Sequence, residues 1–171
     1  TTGNDNVAVG YLTGGALTSG NQNVLVGNQA GDAITIGRYN TSLGHISLGT
    51  NILTDNNVAI GHQTLPQFVG DGSTNNQNGY NTVVGPSAGA AMTTGVQNTI
   101  VGALAGDAIT TGANNTFMGL NAGGATTTGA GNTCIGNGAG DSILVGHDNI
   151  IIGEQADTGA GNGSNQIIIG T

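Results

Sequence analysis

The sequence contains no Lys and no Trp, and Arg38 is its only basic residue apart from three His. Against nine acidic side chains this leaves a formal net charge of −8. Such a balance excludes the basic surface that nucleic-acid binding requires, and it disfavours a polybasic patch for anionic lipids. No apolar run approaches the roughly 18 residues of a membrane-spanning helix, so we expect no membrane insertion. Cys134 is the only cysteine and cannot form an internal disulfide.

Glycine is abundant instead, with 34 residues, and much of it recurs at a fixed interval. A unit that begins with Asn and ends with Gly, as in 98–102, returns ten times, the last time with Gln166 in place of Asn. Eight of the nine steps between these Gly residues are 17 residues long, and the step from Gly61 to Gly85 is 24. We number each repeat so that the Asn is position 3 and the Gly is position 7. The repeats, named coils 1 to 10, then start near residues 4, 21, 38, 55, 79, 96, 113, 130, 147 and 164.

A fixed period near 20 residues is typical of a stacked solenoid. The sequence therefore predicts an all-β fold, a parallel β-solenoid or β-roll with a 17-residue repeat and about ten coils, as a single domain over 1–171. Position 6 is always apolar and position 4 is only Val, Thr or Ile. Because side chains alternate along a strand, these two positions share a face, which we expect to fill the coil.

Position 5, on the opposite face of the predicted strand, carries no charged residue in any repeat. Strands that are apolar on both faces are covered on both faces. We therefore expect position 5 to pack against another copy of the chain. The predicted oligomer contacts are Leu25, Val83, Ile100, Phe117, Cys134, Ile151 and Ile168.

Stacked coils would place the Asn at position 3 of each coil directly above that of the coil before. Such ladders satisfy side-chain amides along a stack of strands. We interpret these Asn as structural and not as ligand-binding residues. The predicted ladder consists of Asn6, Asn23, Asn40, Asn57, Asn81, Asn98, Asn115, Asn132 and Asn149.

The fourth repeat is longer than the others, which predicts a loop insertion at about 62–78. Insertions in solenoids form loops on one face, often the binding face. We predict Arg38, Tyr39, Pro66 and Phe68 as candidate contacts to a partner, since aromatic and Arg side chains anchor many binding surfaces. The alternative is a tolerated surface insertion with Phe68 packed onto the coil.

The ends of the sequence also fit the repeat. Residues 1–3 match the close of a coil, as in 110–112, and 167–171 stop within one. Solenoids hide their terminal edges beneath capping elements, and neither end shows such an element. We therefore expect the fibre to continue at both ends.

Little in the sequence points to catalysis, to a cofactor or to a metal. Without Lys there is neither a phosphate-binding-loop lysine nor a Schiff base. His45 and His62 share position 8 of adjacent coils, where we expect two exposed, stacked side chains. Paired carboxylates in a groove, as glycoside hydrolysis needs, are not indicated by the pattern. We predict that the protein is not an enzyme.

The repeats at 57–61 and 98–102 resemble the head repeats of trimeric autotransporter adhesins, whose β-roll coils carry an Asn-Ser-Val-Ala-Ile-Gly type signature. They are also similar to the Asn-Thr-Ala-Ile-Gly…Thr-Thr-Gly repeats of phage and viral tail-fibre shafts. Because adhesin heads run on a shorter period, the fibre repeats are the closer resemblance. The resemblance implies a homotrimer that serves in surface attachment.

We therefore expect a structural and adhesive fibre segment, extracellular, at a cell surface or on a virion, with a cell-surface or glycan receptor as a possible partner. One alternative is an ice-binding solenoid, suggested by the Thr-rich runs at 93–94, 110–111 and 126–128. Another is the non-catalytic shaft of a depolymerase tail spike.

Overall fold

The computed structural model describes residues 2–51, 53–70, 78–159 and 161–170, and within them the chain consists of strands and turns without a helix. The strands form one parallel sheet in sequence order, each pairing with the next at matching positions of the repeat. The predicted all-β parallel solenoid with 17-residue coils is confirmed. Its strands are β1 (Val7–Val9), β2 (Val24–Val26), β3 (Thr41–Leu43), β4 (Val58–Ile60), β5 (Thr82–Val84), β6 (Thr99–Val101), β7 (Thr116–Met118), β8 (Thr133–Ile135), β9 (Ile150–Ile152) and β10 (Ile167–Ile169).

Three positions of each coil supply the core. Position 5 is the middle residue of each strand, position 10 lies in the corner after the strand, and position 14 lies on the opposite side of the coil. From coil 2 to coil 8 every described side chain at these positions is fully buried. Position 10 is mostly Ala, which keeps the corner narrow, so the large side chains at positions 5 and 14 meet in the middle of the coil.

The two faces of the strands are the reverse of the sequence prediction. Positions 4 and 6 point outward, whereas position 5 points into the coil. A strand of three residues has room for only one inward side chain, because its neighbours on either side point the other way. The seven predicted oligomer contacts are therefore wrong. Leu25, Val83, Ile100, Phe117, Cys134 and Ile151 are fully buried within their own chain, and Ile168 packs against the same core.

The Asn ladder is present and nearly continuous. From Asn23 to Asn149 each Asn is at most 1% exposed. Its backbone N–H donates to the side-chain Oδ1 of the Asn one coil earlier at 2.9–3.3 Å, and its own Nδ2 donates to that same oxygen. In most coils Nδ2 also donates to the carbonyl 14 residues later, as Asn98 does to Gly112 at 2.9 Å. One side chain thus ties two coils together and closes its own coil.

Glycine at position 7 is required by the close approach of neighbouring coils. Gly102 has φ +143, and a Cβ built there would overlap the carbonyl oxygen of Gly119 in the next coil. The same arrangement recurs from Gly10 to Gly153, with φ between +134 and +143. Residues with a side chain rarely adopt this conformation. The period of the Gly is therefore imposed by the stacking distance.

Residues 62–70 follow the path of a regular coil, although the sequence suggested that they belong to the insertion. Thr64 occupies position 10, where its carbonyl accepts the N–H of Leu48 at 3.0 Å. Val69 and Gly70 both donate to the carbonyl of Thr93, as residues 93 and 94 do to Thr110 in the next coil. The remainder of the predicted insertion, 71–77, lies outside the described residues.

We expect Asn98→Ala to lower the free energy of unfolding by about 1–3 kcal/mol, because buried donors and acceptors in three coils lose their partner. Asn28→Ala at exposed position 8 is the control, since that side chain forms no hydrogen bond within the described part of the chain. Thermal or denaturant unfolding of both variants provides the measurement. Equal shifts for the two would contradict a stabilising ladder.

Candidate functional site

The outer face, which we define as the side chains at positions 4 and 6 of β1–β10, carries only Val, Thr, Ile, Leu and Met. Several of these side chains are about half exposed, among them Val9 at 57%, Leu43 at 44% and Met118 at 44%. Ten parallel strands about 4.8 Å apart make this face on the order of 50 Å long. An uncharged and largely apolar surface of this size is typical of an interaction site.

On the Thr-rich side of the coil, the hydroxyl groups at position 15 form hydrogen bonds within the stack. At position 15 the Oγ1 atoms of Thr93, Thr110 and Thr127 donate to the backbone carbonyl one coil later, at 3.0–3.3 Å. Thr126 at position 14 is buried in the core. By contrast, the hydroxyl groups of the outer-face residues Thr82, Thr99, Thr116 and Thr133 form no hydrogen bond with any described residue.

The four predicted partner contacts do not form one surface. Phe68 is fully buried at position 14, where it fills the core of coil 4, so its prediction as a contact is wrong. The alternative, a surface insertion with Phe68 packed onto the coil, is right only in that the ring packs within its own chain, since residues 62–70 form a regular coil. Pro66 is half-buried at position 12, at the corner that follows the strand. Arg38 and Tyr39 are exposed at positions 1 and 2, at the other corner.

Arg38 is held in place by its neighbour in the next coil. Its backbone N–H donates to Asp55 Oδ1 at 2.7 Å, and its Nε lies 3.6 Å from Asp55 Oδ2. The Asp55 side chain is only 10% exposed, whereas that of Arg38 is 48% exposed. The terminal amino groups of the guanidinium have no partner among the described residues, so they can still donate to a ligand.

Position 2 forms a second feature, exposed in coils 2–7 except at the half-buried Asn56, which sequence reasoning found only at Tyr39. Its residues in coils 2–7 are uncharged amides and tyrosines, and each has a positive φ near +50 to +60, so that this tight turn lifts the side chain away from the strand. Alignment of position 2 across the long fourth repeat would have revealed this pattern. We call this set the amide–tyrosine stripe. It consists of Gln22, Tyr39, Asn56, Tyr80, Gln97 and Asn114.

His45 and His62 stack one coil apart, as the sequence predicted, with ring centroids 5.3 Å apart and planes inclined by 12°. Both side chains are exposed. One metal ion cannot lie in two nearly parallel ring planes, so the pair as placed does not chelate. Among the described residues no group of three or more His, Cys, Asp or Glu is arranged to hold a metal.

Burial raises the pKa of the Cys134 thiol to about 12, and the nearby charge of Asp157 adds to this effect. The thiol therefore stays protonated and unreactive at neutral pH. The pKa of Asp141 is also raised, chiefly by burial and then by the charge of Asp157 and a hydrogen bond with it. Burial likewise raises the pKa of Asp107.

Within the described residues no helix is long and apolar enough to cross a membrane. Comparison of the chain with models of protein families, with curated proteins and with solved structures gives no match. The function is therefore inferred from the fold, the outer face and the amide–tyrosine stripe.

The raised pKa of the Asp141 carboxyl group can be tested through the pH dependence of stability. Because its pKa in the folded state lies above the ordinary 3.8, the folded state favours the protonated form. Its contribution to stability is complete below pH 3.8 and is lost as the pH rises through the folded-state pKa. We expect Asp141→Asn to raise the melting temperature at pH 7, with a gain that shrinks toward pH 3.8.

Asp32→Asn is the matched control at position 12 of coil 2, where the next coil carries Leu48 in place of an acidic neighbour such as Asp157. Melting curves for both variants between pH 3 and pH 7 make the comparison. A gain from Asp141→Asn that does not depend on pH would contradict this explanation.

Proposed function

We propose that the chain is a structural segment of a fibre that associates as a homotrimer through the outer face and serves in attachment, without an enzymatic role. The observation that carries the proposal is the composition of that face. Its twenty side chains include no charged or amide residue, although they lie on the exposed side of the sheet. Water-exposed arrays of Val, Ile and Leu are unfavourable, and packing against a second copy removes them from water.

Self-association fits this surface better than a heterologous partner does. The face repeats every coil, so a second copy in the same axial register meets an identical array along the full length of about 50 Å. Its footprint is on the order of 500 Å², from ten strand spacings and a width of three residues. The resemblance to tail-fibre and adhesin repeats favours three copies around a common axis, as well as a location outside the cell or on a virion.

The mass of the assembly in solution, measured by light scattering, tests this proposal. We expect the unmodified chain to have three times the mass of one chain. Val101→Asp should give a folded monomer, because three carboxylates would be brought together in an apolar interface. Thr111→Asp is the control, since this side chain is exposed at position 16 on the opposite side of the coil.

A Val101→Asp assembly of unchanged mass would overturn the assignment of the interface. Ile100→Asp adds a second comparison, because the structure places that side chain in the core. It should prevent folding altogether, whereas Val101→Asp should leave the circular dichroism of the strands intact. The two neighbouring residues thus separate a core effect from an interface effect.

Ice binding is a second candidate function, favoured by one observation. Thr82, Thr99, Thr116 and Thr133 form a straight rank in four successive coils, with hydroxyl groups that make no hydrogen bond to the described residues. A flat, regularly spaced array of hydroxyl and methyl groups can order water. The position-15 Thr residues are less suitable, because their hydroxyl groups are already bonded within the stack.

If this second function is correct, the monomeric chain will show thermal hysteresis, and Thr99→Lys will reduce it by disturbing the flat rank. Both functions require the same face, so a stable trimer without thermal hysteresis would exclude ice binding. A monomer with thermal hysteresis would exclude the trimer.

A further inference from the structure

We propose that the amide–tyrosine stripe binds a neutral oligosaccharide that lies along the axis of the solenoid, with Tyr39 and Tyr80 each stacking on one sugar ring. The proposal rests on the proposed attachment function and gives it a ligand class. It concerns a surface separate from the outer face, since position 2 precedes each strand by two residues.

The geometry of the stripe matches an extended sugar chain. Tyr39, Asn56 and Tyr80 each lie two residues before one of three successive strands that pair in register. The corner at Tyr80 is shifted by one residue, because the N–H of Gly79 donates to the Asp55 carbonyl. Each coil advances by about 4.8 Å, close to the rise of one pyranose in an extended chain. Two such steps separate the coils of Tyr39 and Tyr80 by about 10 Å along the axis, so the two rings can stack on sugar rings separated by one other ring.

The two tyrosines are available for such contacts. Tyr39 is 52% exposed and Tyr80 is 53% exposed, so a large part of each ring is open to solvent. A tyrosine presents a rigid apolar ring and a hydroxyl group at a small cost in conformational entropy. The C–H groups on one face of a pyranose pack well against a ring of this type.

Polar groups beside the rings can bind sugar hydroxyl groups. Asn56 is oriented by the hydrogen bond from its Nδ2 to Asn78 Oδ1 at 2.7 Å, which leaves its own Oδ1 as an acceptor. Arg38 adjoins Tyr39, and its terminal amino groups are donors that Asp55 does not engage. The stripe thus combines stacking surfaces with both donors and acceptors.

The charges favour a neutral ligand over an acidic one. Asp55 already balances Arg38, which is the only Arg of the chain, and the net charge of −8 repels a polyanion. The stripe itself contains no charged residue from Gln22 to Asn114. The chain would therefore repel an acidic saccharide, whereas a neutral saccharide meets no such repulsion.

Isothermal titration calorimetry on the full chain tests the proposal, with neutral tetrasaccharides of glucose, mannose and galactose as probes and tetragalacturonate as the acidic counterpart. We expect at least one neutral probe to bind and the acidic probe to bind more weakly. Tyr39→Asn and Tyr80→Asn should each weaken binding about tenfold by removing one stacked ring. Asn suits this backbone, because Asn56 and Asn114 occupy position 2 with φ +60.

Two controls separate recognition from folding and assembly. Thr111→Asn introduces the same side chain at exposed position 16 on the opposite side of the coil, and Tyr11→Asn removes an exposed tyrosine at position 8 in coil 1. Both should bind as the unmodified chain does, and all four variants should keep its melting temperature and mass. Arg38→Gln should weaken binding of the neutral probe by a smaller factor.

The proposal is overturned if none of the neutral probes binds, if tetragalacturonate binds more tightly, or if Tyr11→Asn weakens binding as much as Tyr39→Asn. It is also overturned if Tyr39→Asn changes the mass of the assembly, since the stripe would then be a contact between subunits. Because mass and sugar binding are measured separately, a trimer that binds no sugar refutes only this inference. A monomer that binds sugar refutes only the trimeric fibre.

Discussion

The structure depends on the buried Asn at position 3, because this residue satisfies polar groups that coil stacking would otherwise leave unpaired. Each Asn accepts two hydrogen bonds from the coil after it and donates to the coil before it. The same side chain closes its own coil through a carbonyl 14 residues later. A coil is therefore complete only between two neighbours, which makes stability a property of the stack and not of the single repeat.

This dependence explains why the fold could be predicted from the sequence. Stacking at strand spacing requires the same residue at the same place in every coil, so Asn and Gly recur with a visible period. The period alone fixed the parallel solenoid, its 17-residue coil and its ladder. The period could not show which face of the strands is buried, because positions 4, 5 and 6 carry no charged residue. The assignment of positions 4 and 6 to the core was wrong.

A different signal would have identified the inward face. In coils 4 and 7 the residues at positions 5 and 14 compensate each other in size, as Ala59 does with Phe68 and Phe117 does with Thr126. Such compensation is expected where two side chains share a fixed internal volume. It also explains Phe68, whose aromatic ring suggested a partner contact but fills the space that the small Ala59 leaves in the core. Tyr80 was missed for another reason, since the long fourth repeat hides its alignment with Tyr39.

The distribution of acidic residues leaves the outer face without a charged side chain. Of the nine acidic residues, Asp71 lies outside the described residues, and the other eight lie at corner positions and never within a strand. Carboxylates on the corners repel a second copy that approaches from those sides, while the uncharged outer face allows close packing. The amide–tyrosine stripe interrupts this acidic surface from coil 2 to coil 7. An uncharged ligand can therefore reach the stripe, although the corners on either side disfavour both anions and further copies of the chain.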